Sequence, residues 1–371
     1  KDYQERALAL GIWSAITAAG AGLGPVIGGL LLEKFSWPSV FIINIPVVMI
    51  VLIISYILIP QYPTNKDGTW DFISSFQIMI GLITVVFAIK ELAKPDNNFA
   101  VLFGAFAIGI IAIMMFIRRQ NRLKFPLINL AIFKNPYFTG GTIVAITTSF
   151  ILMGFEYILS QRLQLVLGLT PLNAGLTIMM MALASLVGAI LIGIILTKFG
   201  TLKLQWVTLL LAFIGISSFY WVLHAHLAIQ IVTLIIIGLG LGGAMTLASN
   251  AIMSNADDKN SGMAASIEEV SFEFGGSLGI AILGGLFSIF YSLFFNFNSN
   301  SVDLSKAKGS LDETLIQAEQ LPFSISKELI EAGKAAYDDA FSLIIIISIL
   351  SLAFTIILLI WMDLKQKRLP E

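Results

Sequence analysis

The sequence predicts an all-α membrane protein, a bundle of about ten transmembrane helices. Of its 371 residues, 57% are hydrophobic and only 12% are charged, about half the charged fraction of an ordinary soluble domain. The apolar runs are continuous and about 20 residues long, the length that a helix needs to cross the hydrocarbon core. A membrane β-barrel would need shorter runs of alternating polarity. This composition excludes a soluble enzyme, a disordered chain and a nucleic-acid-binding protein, which would need a basic surface.

Ten stretches qualify as spans. They run near Ala7–Leu32, Val40–Ile59, Phe72–Ile89, Phe99–Ile117, Phe138–Leu159, Pro171–Leu196, Leu204–Val222, Leu227–Ala248, Gly262–Phe290 and Phe341–Trp361. Of the 22 Lys and Arg residues, 14 fall on the side of the N-terminus and eight on the opposite side. Four of these eight lie in one long loop, which carries little weight for orientation. The bias predicts that both ends of this chain are cytoplasmic, and the polar start predicts no signal peptide.

Two segments interrupt the series of spans. The basic stretch Arg118–Lys134 separates the first four spans from the last six, and it reads as a turn followed by a short helix on the inner surface. The loop 296–340, on the external side, contains amphipathic pieces near Leu311–Leu321 and Ile325–Tyr337, where apolar residues recur every three or four positions. These pieces would lie on the outer membrane face or cap the protein. The alternative is a solvated spacer.

The first span is rich in glycine around a central proline. Glycines four residues apart line one helix face and let a neighbouring helix approach closely, and a proline bends the helix. Such a helix suits a hinge or a seal between two bundles, although ordinary close packing explains the pattern equally well. The residues of this motif are Gly20, Gly24, Pro25, Gly28 and Gly29.

This motif, with Asn44-Ile45-Pro46 following it, resembles the antiporter motif of the major facilitator superfamily, which lies in the family's fifth helix. Two further segments resemble signatures of its fourteen-span drug:proton antiporters. They are Leu163–Leu176, which includes Gly168-Leu169-Thr170-Pro171, and Gly262–Ala281, which includes Gly275-Gly276. The nearest resemblance is to staphylococcal-type quaternary-ammonium exporters.

The resemblance implies that four further spans precede this sequence in the family. Residues 1–60 would then end the N-terminal bundle as family spans five and six. Residues 61–124 would be the two inserted linker spans, and residues 125–371, with the loop 296–340, the C-terminal six-helix bundle. The implied protein is a monomer in the bacterial cytoplasmic membrane. It is driven by the proton gradient and needs no cofactor or metal.

Glutamates inside the apolar spans form the candidate site, because charged side chains in a membrane are costly and by default mark function. Glu268, Glu269 and Glu273 fall in the ninth span, and Glu156 in the fifth. Glu269 and Glu273 share one helix face, and Glu273 lies about 16 Å into its span, near the middle of the core. Glu156 is either a second cation site or a partner of Arg162.

The three clustered glutamates cannot all stay ionised in a low dielectric, so at least one would exchange protons near neutral pH. A carboxylate that exchanges a proton for a lipophilic cation is sufficient for antiport, and the resemblance places acids with this role at the same location. The alternative is that Glu268 and Glu269 only line a water-filled vestibule. No Lys or Arg lies deep in a span, which favours cationic or neutral substrates over anions.

The predicted function is proton-coupled export of lipophilic cationic drugs, dyes and quaternary ammonium compounds. The sequence contains no catalytic set and no nucleotide-binding loop, and the His224-Ala225-His226 pair is a weak metal signal. Two alternatives stay open. One is a narrower exporter, of tetracycline or of an endogenous lipid or peptide. The other is a truncated membrane protein that does not transport.

Overall fold

The computed structural model describes residues 20, 23–58, 71–92, 98–199, 201–257, 260–297 and 307–366. Within these ranges the chain forms helices and turns, without a strand. The helices are α1 (23–34), α2 (Ser39–Ile42), α3 (Asn44–Leu58), α4 (Phe72–Leu92), α5 (Phe99–Gln120), α6 (Pro136–Gln161), α7 (Pro171–Phe199), α8 (Thr201–Trp221), α9 (Leu227–Ser254), α10 (Ser261–Phe294), α11 (Leu311–Ala318) and α12 (Phe323–Gln366). The predicted all-α fold class is confirmed.

Nine helical segments within the described ranges are long and apolar enough to cross a membrane. They correspond to the second to tenth predicted spans, with α2 and α3 together forming the segment Ser39–Leu58. The first predicted span, Ala7–Leu32, lies mostly outside the described residues, and only its last third is seen, as α1.

Asparagine side chains start two of these helices. The Asn98 side chain accepts hydrogen bonds from the backbone N–H groups of Ala100 and Val101 at the start of α5. Asn135 does the same for Tyr137 and Phe138 at the start of α6, with Pro136 at the first helical position. These caps satisfy donors that a helix leaves unpaired at its first turn, and they fix where the apolar runs enter the bundle.

Helices α6 to α10 and α12 form one bundle, with α9 packed against α6, α7 and α8. Helix α6 packs along α10, and α12 covers α6, α8 and α10. Glycines make these crossings close. A Cβ atom added at Gly154 of α6 would lie 2.9 Å from the carbonyl oxygen of Gly279 in α10. Small residues let helix backbones pack directly where lipid supplies no hydrophobic drive for association.

The glycine run in α9 serves the same purpose. Gly238 and Gly242 lie against the backbone of Met181 and Ser185 in α7, while Gly240 lies against Ala212 in α8. The helix therefore touches a neighbour on two sides, with no room for side chains between the backbones. The sequence Gly238-Leu239-Gly240-Leu241-Gly242-Gly243 is thus confirmed as a packing surface.

Helices α4 and α5 form a separate hairpin whose crossing is also made by glycines, Gly81 and Gly109. Its α4 side contacts α10 of the main bundle. The connector that follows α5 contains a short 3₁₀ turn, Leu130–Lys134, where the sequence predicted a short helix. The backbone N–H of Asn129 in this connector donates to Met263 Sδ near the start of α10, at 3.1 Å.

The loop 296–340 departs from the prediction. The amphipathic piece Ile325–Tyr337 and the last span are one continuous 44-residue helix, α12, so their assignment as separate elements was wrong. No proline falls within α12, and its Gly333 packs against Leu311 and Thr314 rather than breaking the helix.

The solvated-spacer interpretation of this loop is also wrong. Ala307, Leu311, Ala318 and Leu329 are at most 2% exposed, because the short helix α11 packs against α12. The loop therefore forms a packed cap, termed here the loop cap (residues 307–340), on that end of the bundle.

Candidate functional site

Three of the four predicted site glutamates lie in the first half of α10, on two of its faces. Glu269 and Glu273 are exposed, whereas Glu268 is half-buried. The opposite face of this part of α10 is packed, since Ile267 and Ser271 are at most 6% exposed. The four-residue spacing thus puts Glu269 and Glu273 together on the open face.

These two glutamates belong to a longer stripe along α10. Ser266, Glu269, Glu273 and Ser277, termed here the α10 polar stripe, are all exposed and follow one another at three or four residues. Carboxylates within a membrane-spanning helix face a protein interior or a water-filled cavity rather than lipid. The stripe therefore marks the side of α10 that faces such a cavity or a further part of the protein.

Glu268 points to a different neighbour. Its carboxylate is hydrogen-bonded to the side chain of Ser249 in α9, and it lies close enough to Glu269 for the two charges to repel each other. Glu268 therefore links the polar stripe to the packed interface between α9 and α10. It is the least solvent-accessible of the three carboxylates on α10.

Glu156 lies further along the bundle, half-buried in α6. Gly154 of α6 lies against Gly279 of α10, and Tyr157 against Gly284, so Glu156 is level with a point between these two glycines. At 1.5 Å per residue this point is about 13 Å along α10 from Glu273. The structure does not bring Glu156 into direct contact with the glutamates of α10.

The possible pairing of Glu156 with Arg162 is wrong, because Arg162 pairs with Asp338 of α12. Arg162 lies in the π-helical turn Arg162–Val166 after α6 and is only 1% exposed. Its Nε and Nη2 atoms donate to the Asp338 carboxylate at 2.7 and 3.3 Å. Its Nη1 donates to Gln230 Oε1 at 3.1 Å, and Nη2 also donates to the Leu223 carbonyl at 2.8 Å.

This cluster was missed by sequence reasoning, and it joins four parts of the bundle. The π-helical turn, α12, α9 and the turn after α8 each supply one of Arg162, Asp338, Gln230 and Leu223. Arg162 and Asp338 are 176 residues apart, so no local spacing pointed to the pair. An arginine at the end of an apolar span was the one available signal, because a buried charge needs a partner.

The two histidines beside this cluster have structural contacts. His224 Nδ1 lies 3.4 Å from Asp338 Oδ2, and His226 Nδ1 accepts a hydrogen bond from the backbone N–H of Ala228 at the start of α9. Among the described residues no three His, Cys, Asp or Glu side chains are grouped as metal ligands would be.

The antiporter-like motif places α1 against α7. A Cβ atom at Gly175 would lie 2.5 Å from the carbonyl oxygen of Pro25, and one at Gly29 would lie 2.8 Å from the Leu172 backbone. The close approach is thus made by the face that carries Pro25 and Gly29. Gly20, Gly24 and Gly28, which share another face, have no neighbour within 4 Å of an added Cβ in the part of the chain that is described.

One aromatic side chain near the glutamates belongs to the packed core. The Phe155 ring is 1% exposed and contacts the rings of Phe219 and Phe341, with centroids 5.3 and 5.5 Å apart. It therefore cannot stack on a cation that enters from outside. Tyr157 is 46% exposed and lies on the α10 side of α6, so its ring can be reached.

Comparisons with known proteins agree with this architecture. A family model described as Major Facilitator Superfamily matches residues 2–280. The multidrug efflux pump LfrA of Mycolicibacterium smegmatis is 30% identical over 349 residues, 91% of this chain and 67% of that protein. The methyl viologen resistance protein SmvA of Salmonella typhimurium is 28% identical over 342 residues, 91% of this chain and 68% of that protein. The drug efflux pump JefA of Mycobacterium tuberculosis is 29% identical over 282 residues, which span 75% of this chain and 55% of that protein.

Proposed function

The chain belongs to the major facilitator superfamily, and from that premise we propose that it exports lipophilic cations in exchange for protons. Its relatives are bacterial drug efflux pumps, so it is a multi-pass membrane transporter rather than an enzyme. The proposed substrates are cationic drugs, dyes and quaternary ammonium compounds. The name of the relative SmvA, a methyl viologen resistance protein, supports a cationic substrate class.

The charge content of α6 and α10 carries the proposal. These two packed, membrane-spanning helices hold Glu156, Glu268, Glu269 and Glu273 and no Lys or Arg. The buried Arg162 at the end of α6 is already bonded to Asp338 and cannot serve as a counter-ion for a substrate. An interior with acidic groups alone attracts cations and gains nothing by binding anions.

The proposed exchange takes place on the α10 polar stripe. Glu269 and Glu273 are close on one face, so a bound cation offsets their mutual repulsion when both are ionised. Protonation of one carboxylate removes that attraction and releases the cation. Glu268 assists at the α9 interface, and Glu156, about 13 Å further along α10, is a separate station for a proton or cation.

The contact between α1 and α7 is the proposed seal of the transport path. Since the Pro25 backbone lies directly on Gly175, the two helices leave no space for solute between them at that level. Residues 1–60 are the proposed end of an N-terminal bundle, residues 61–124 an inserted pair, and residues 125–371 the C-terminal bundle. We place both ends of this chain in the cytoplasm.

Ethidium uptake into inverted membrane vesicles tests the proposal on the intact transporter. The unaltered protein should take up ethidium only while a proton gradient is present. Glu273→Gln keeps the size of the side chain and removes its charge, and it should abolish that uptake. Glu331→Gln is the matched control, because Glu331 is exposed on the part of α12 that belongs to the loop cap.

Two results would contradict the proposal at different levels. Unchanged uptake by the Glu273→Gln protein would remove Glu273 from the coupling site and leave the transporter assignment intact. No gradient-dependent uptake by the unaltered protein would exclude proton-coupled export of such cations. Equal thermal midpoints for the three proteins would show that the variants are folded.

A further inference from the structure

A polar network fastens the base of the α4–α5 hairpin. Asp71, the residue before α4, accepts hydrogen bonds from Arg119 Nε at 2.9 Å and Nη2 at 3.0 Å. It also accepts from Ser74 Oγ at 2.6 Å. The Gln120 amide donates to Ser74 Oγ at 2.7 Å, and its Oε1 accepts from the Ile128 backbone at 3.1 Å. The end of α5 and the connector are therefore held in a fixed position beside α4.

Three further cations lie around this network. Arg118, Arg122 and Lys124 are exposed, and among the described residues none of them forms an ion pair. Residues 97–155 include no Asp or Glu. The nearest carboxylate, Asp71, has both oxygens bonded to Arg119. The base of the hairpin therefore carries an uncompensated positive charge.

An apolar-walled cavity opens among these cations. It has a volume of about 440 Å³ and is lined by Phe72, Ile73, Leu123, Lys124 and Phe125, together with the Asp71–Arg119 pair. Phe72, Ile73 and Phe125 are 74%, 56% and 62% exposed. The Lys124 ammonium lies 5.7 Å from the centre of the Phe125 ring. Cationic groups and apolar walls thus meet at the end of two membrane-spanning helices.

We propose that this cavity binds the headgroup of an anionic phospholipid. Basic residues next to a membrane span attract anionic lipids, and the exposed phenylalanine and isoleucine side chains fit the start of the acyl chains. The excess of Lys and Arg on this side of the chain assigns the lipid to the cytoplasmic leaflet. A free anion such as inorganic phosphate shares the charge but gains nothing from the apolar walls.

The bound lipid would act on more than the hairpin. Gln120 bonds the backbone of Ile128, and the next residue, Asn129, bonds Met263 in the first turn of α10. The headgroup therefore binds to a segment that is connected by two hydrogen bonds to the helix carrying the α10 polar stripe. The site is independent of the proposed exchange at Glu269 and Glu273, since it needs neither carboxylate.

Native mass spectrometry of the detergent-purified protein tests the site by titration with dioleoylphosphatidylglycerol. The test variant is Arg118→Gln/Arg122→Gln/Lys124→Gln. Each basic residue near the membrane surface is worth about a fivefold change in affinity, so the tightest lipid-binding step should weaken about a hundredfold. The matched control is Lys90→Gln/Lys308→Gln/Lys327→Gln, which removes the same charge from exposed positions at the other end of the bundle.

Further arms separate the explanations. The control variant should bind the lipid as the unaltered protein does, and so should Arg118→Lys/Arg122→Lys, which keeps the charge. Dioleoylphosphatidylcholine, which has no net charge, should bind far more weakly. Equal weakening in both triple variants, equal binding of the two lipids, or displacement of the lipid by millimolar inorganic phosphate would each overturn the proposal.

Discussion

Replacing Asp338 by asparagine should destabilise the bundle more than any surface change of the same size. The substitution keeps the shape of the side chain and removes the negative charge opposite Arg162, whose side chain is only 2% exposed. Arg162 cannot lose its proton in a protein, so its charge stays buried without a counter-ion. The perturbation therefore isolates the charge of a single buried pair.

The expected magnitude follows from what remains around Arg162. Breaking a buried ion pair by removing one partner costs about 3–5 kcal/mol. Gln230 and the Leu223 carbonyl still accept two of the guanidinium hydrogen bonds, so we expect a loss near the lower limit, about 3 kcal/mol. The exposed pair Lys327–Glu331 on the same helix, at 3.9 Å, should contribute only about 0.3–0.5 kcal/mol.

Denaturation of the purified protein in detergent and sodium dodecyl sulfate mixtures measures both effects. The free energy of unfolding is compared for the unaltered protein, Asp338→Asn and the control Glu331→Gln. A third variant, Arg162→Met/Asp338→Leu, replaces both charges by apolar groups and should recover most of the loss, because no charge is then left unpaired.

The reasoning is refuted if Asp338→Asn costs no more than Glu331→Gln. Such a result would mean that the Arg162 charge is solvated and not paired in the protein. A double variant that is as unstable as Asp338→Asn would instead assign the loss to packing, and the charge argument would fail.

The remaining predictions concern the α1–α7 contact and the Asp71 carboxyl. Gly175→Ala should lower the thermal midpoint, because the new methyl group meets the Pro25 carbonyl at 2.5 Å, whereas Gly193→Ala in the same helix has open space and should be neutral or stabilising. Equal midpoints for the two variants would contradict the close α1–α7 contact. The hydrogen bond from Arg119 holds the pKa of Asp71 well below its usual range. Since an unfolded Asp titrates near about pH 4, the stability difference between the unaltered protein and Asp71→Asn should be constant at higher pH and shrink only as the pH falls below that value. A difference that changes between pH 6 and 8 would contradict this pairing.

Most of the spans could be predicted because hydrophobicity alone decides them. A run of about 20 apolar residues has one stable arrangement in a bilayer, in which a helix satisfies its own backbone. The limits of α12 could not be read in the same way. Its first half, Phe323–Ala340, is amphipathic, and the apolar side chains of that half are buried by α11, a contact that no local pattern reveals.

The candidate site was predictable to a similar extent. The positions of Glu269 and Glu273 on one face follow from a spacing of four residues, and the structure places both on the exposed side of α10. The partners Ser249 of Glu268 and Asp338 of Arg162 lie on other helices. Such pairs depend on how helices are arranged around each other, and this arrangement is set by close crossings such as Gly154 on Gly279.

The unbroken α12 also makes the chain a molecular ruler. A helix from Phe323 to Lys365 is about 63 Å long at 1.5 Å per residue, roughly twice the thickness of the hydrocarbon core. A stiff rod of this length transmits displacement from the loop cap to the opposite membrane surface without loss. Spin labels at its two ends should therefore report one constant distance throughout a transport cycle, while distances from either end to α1 change.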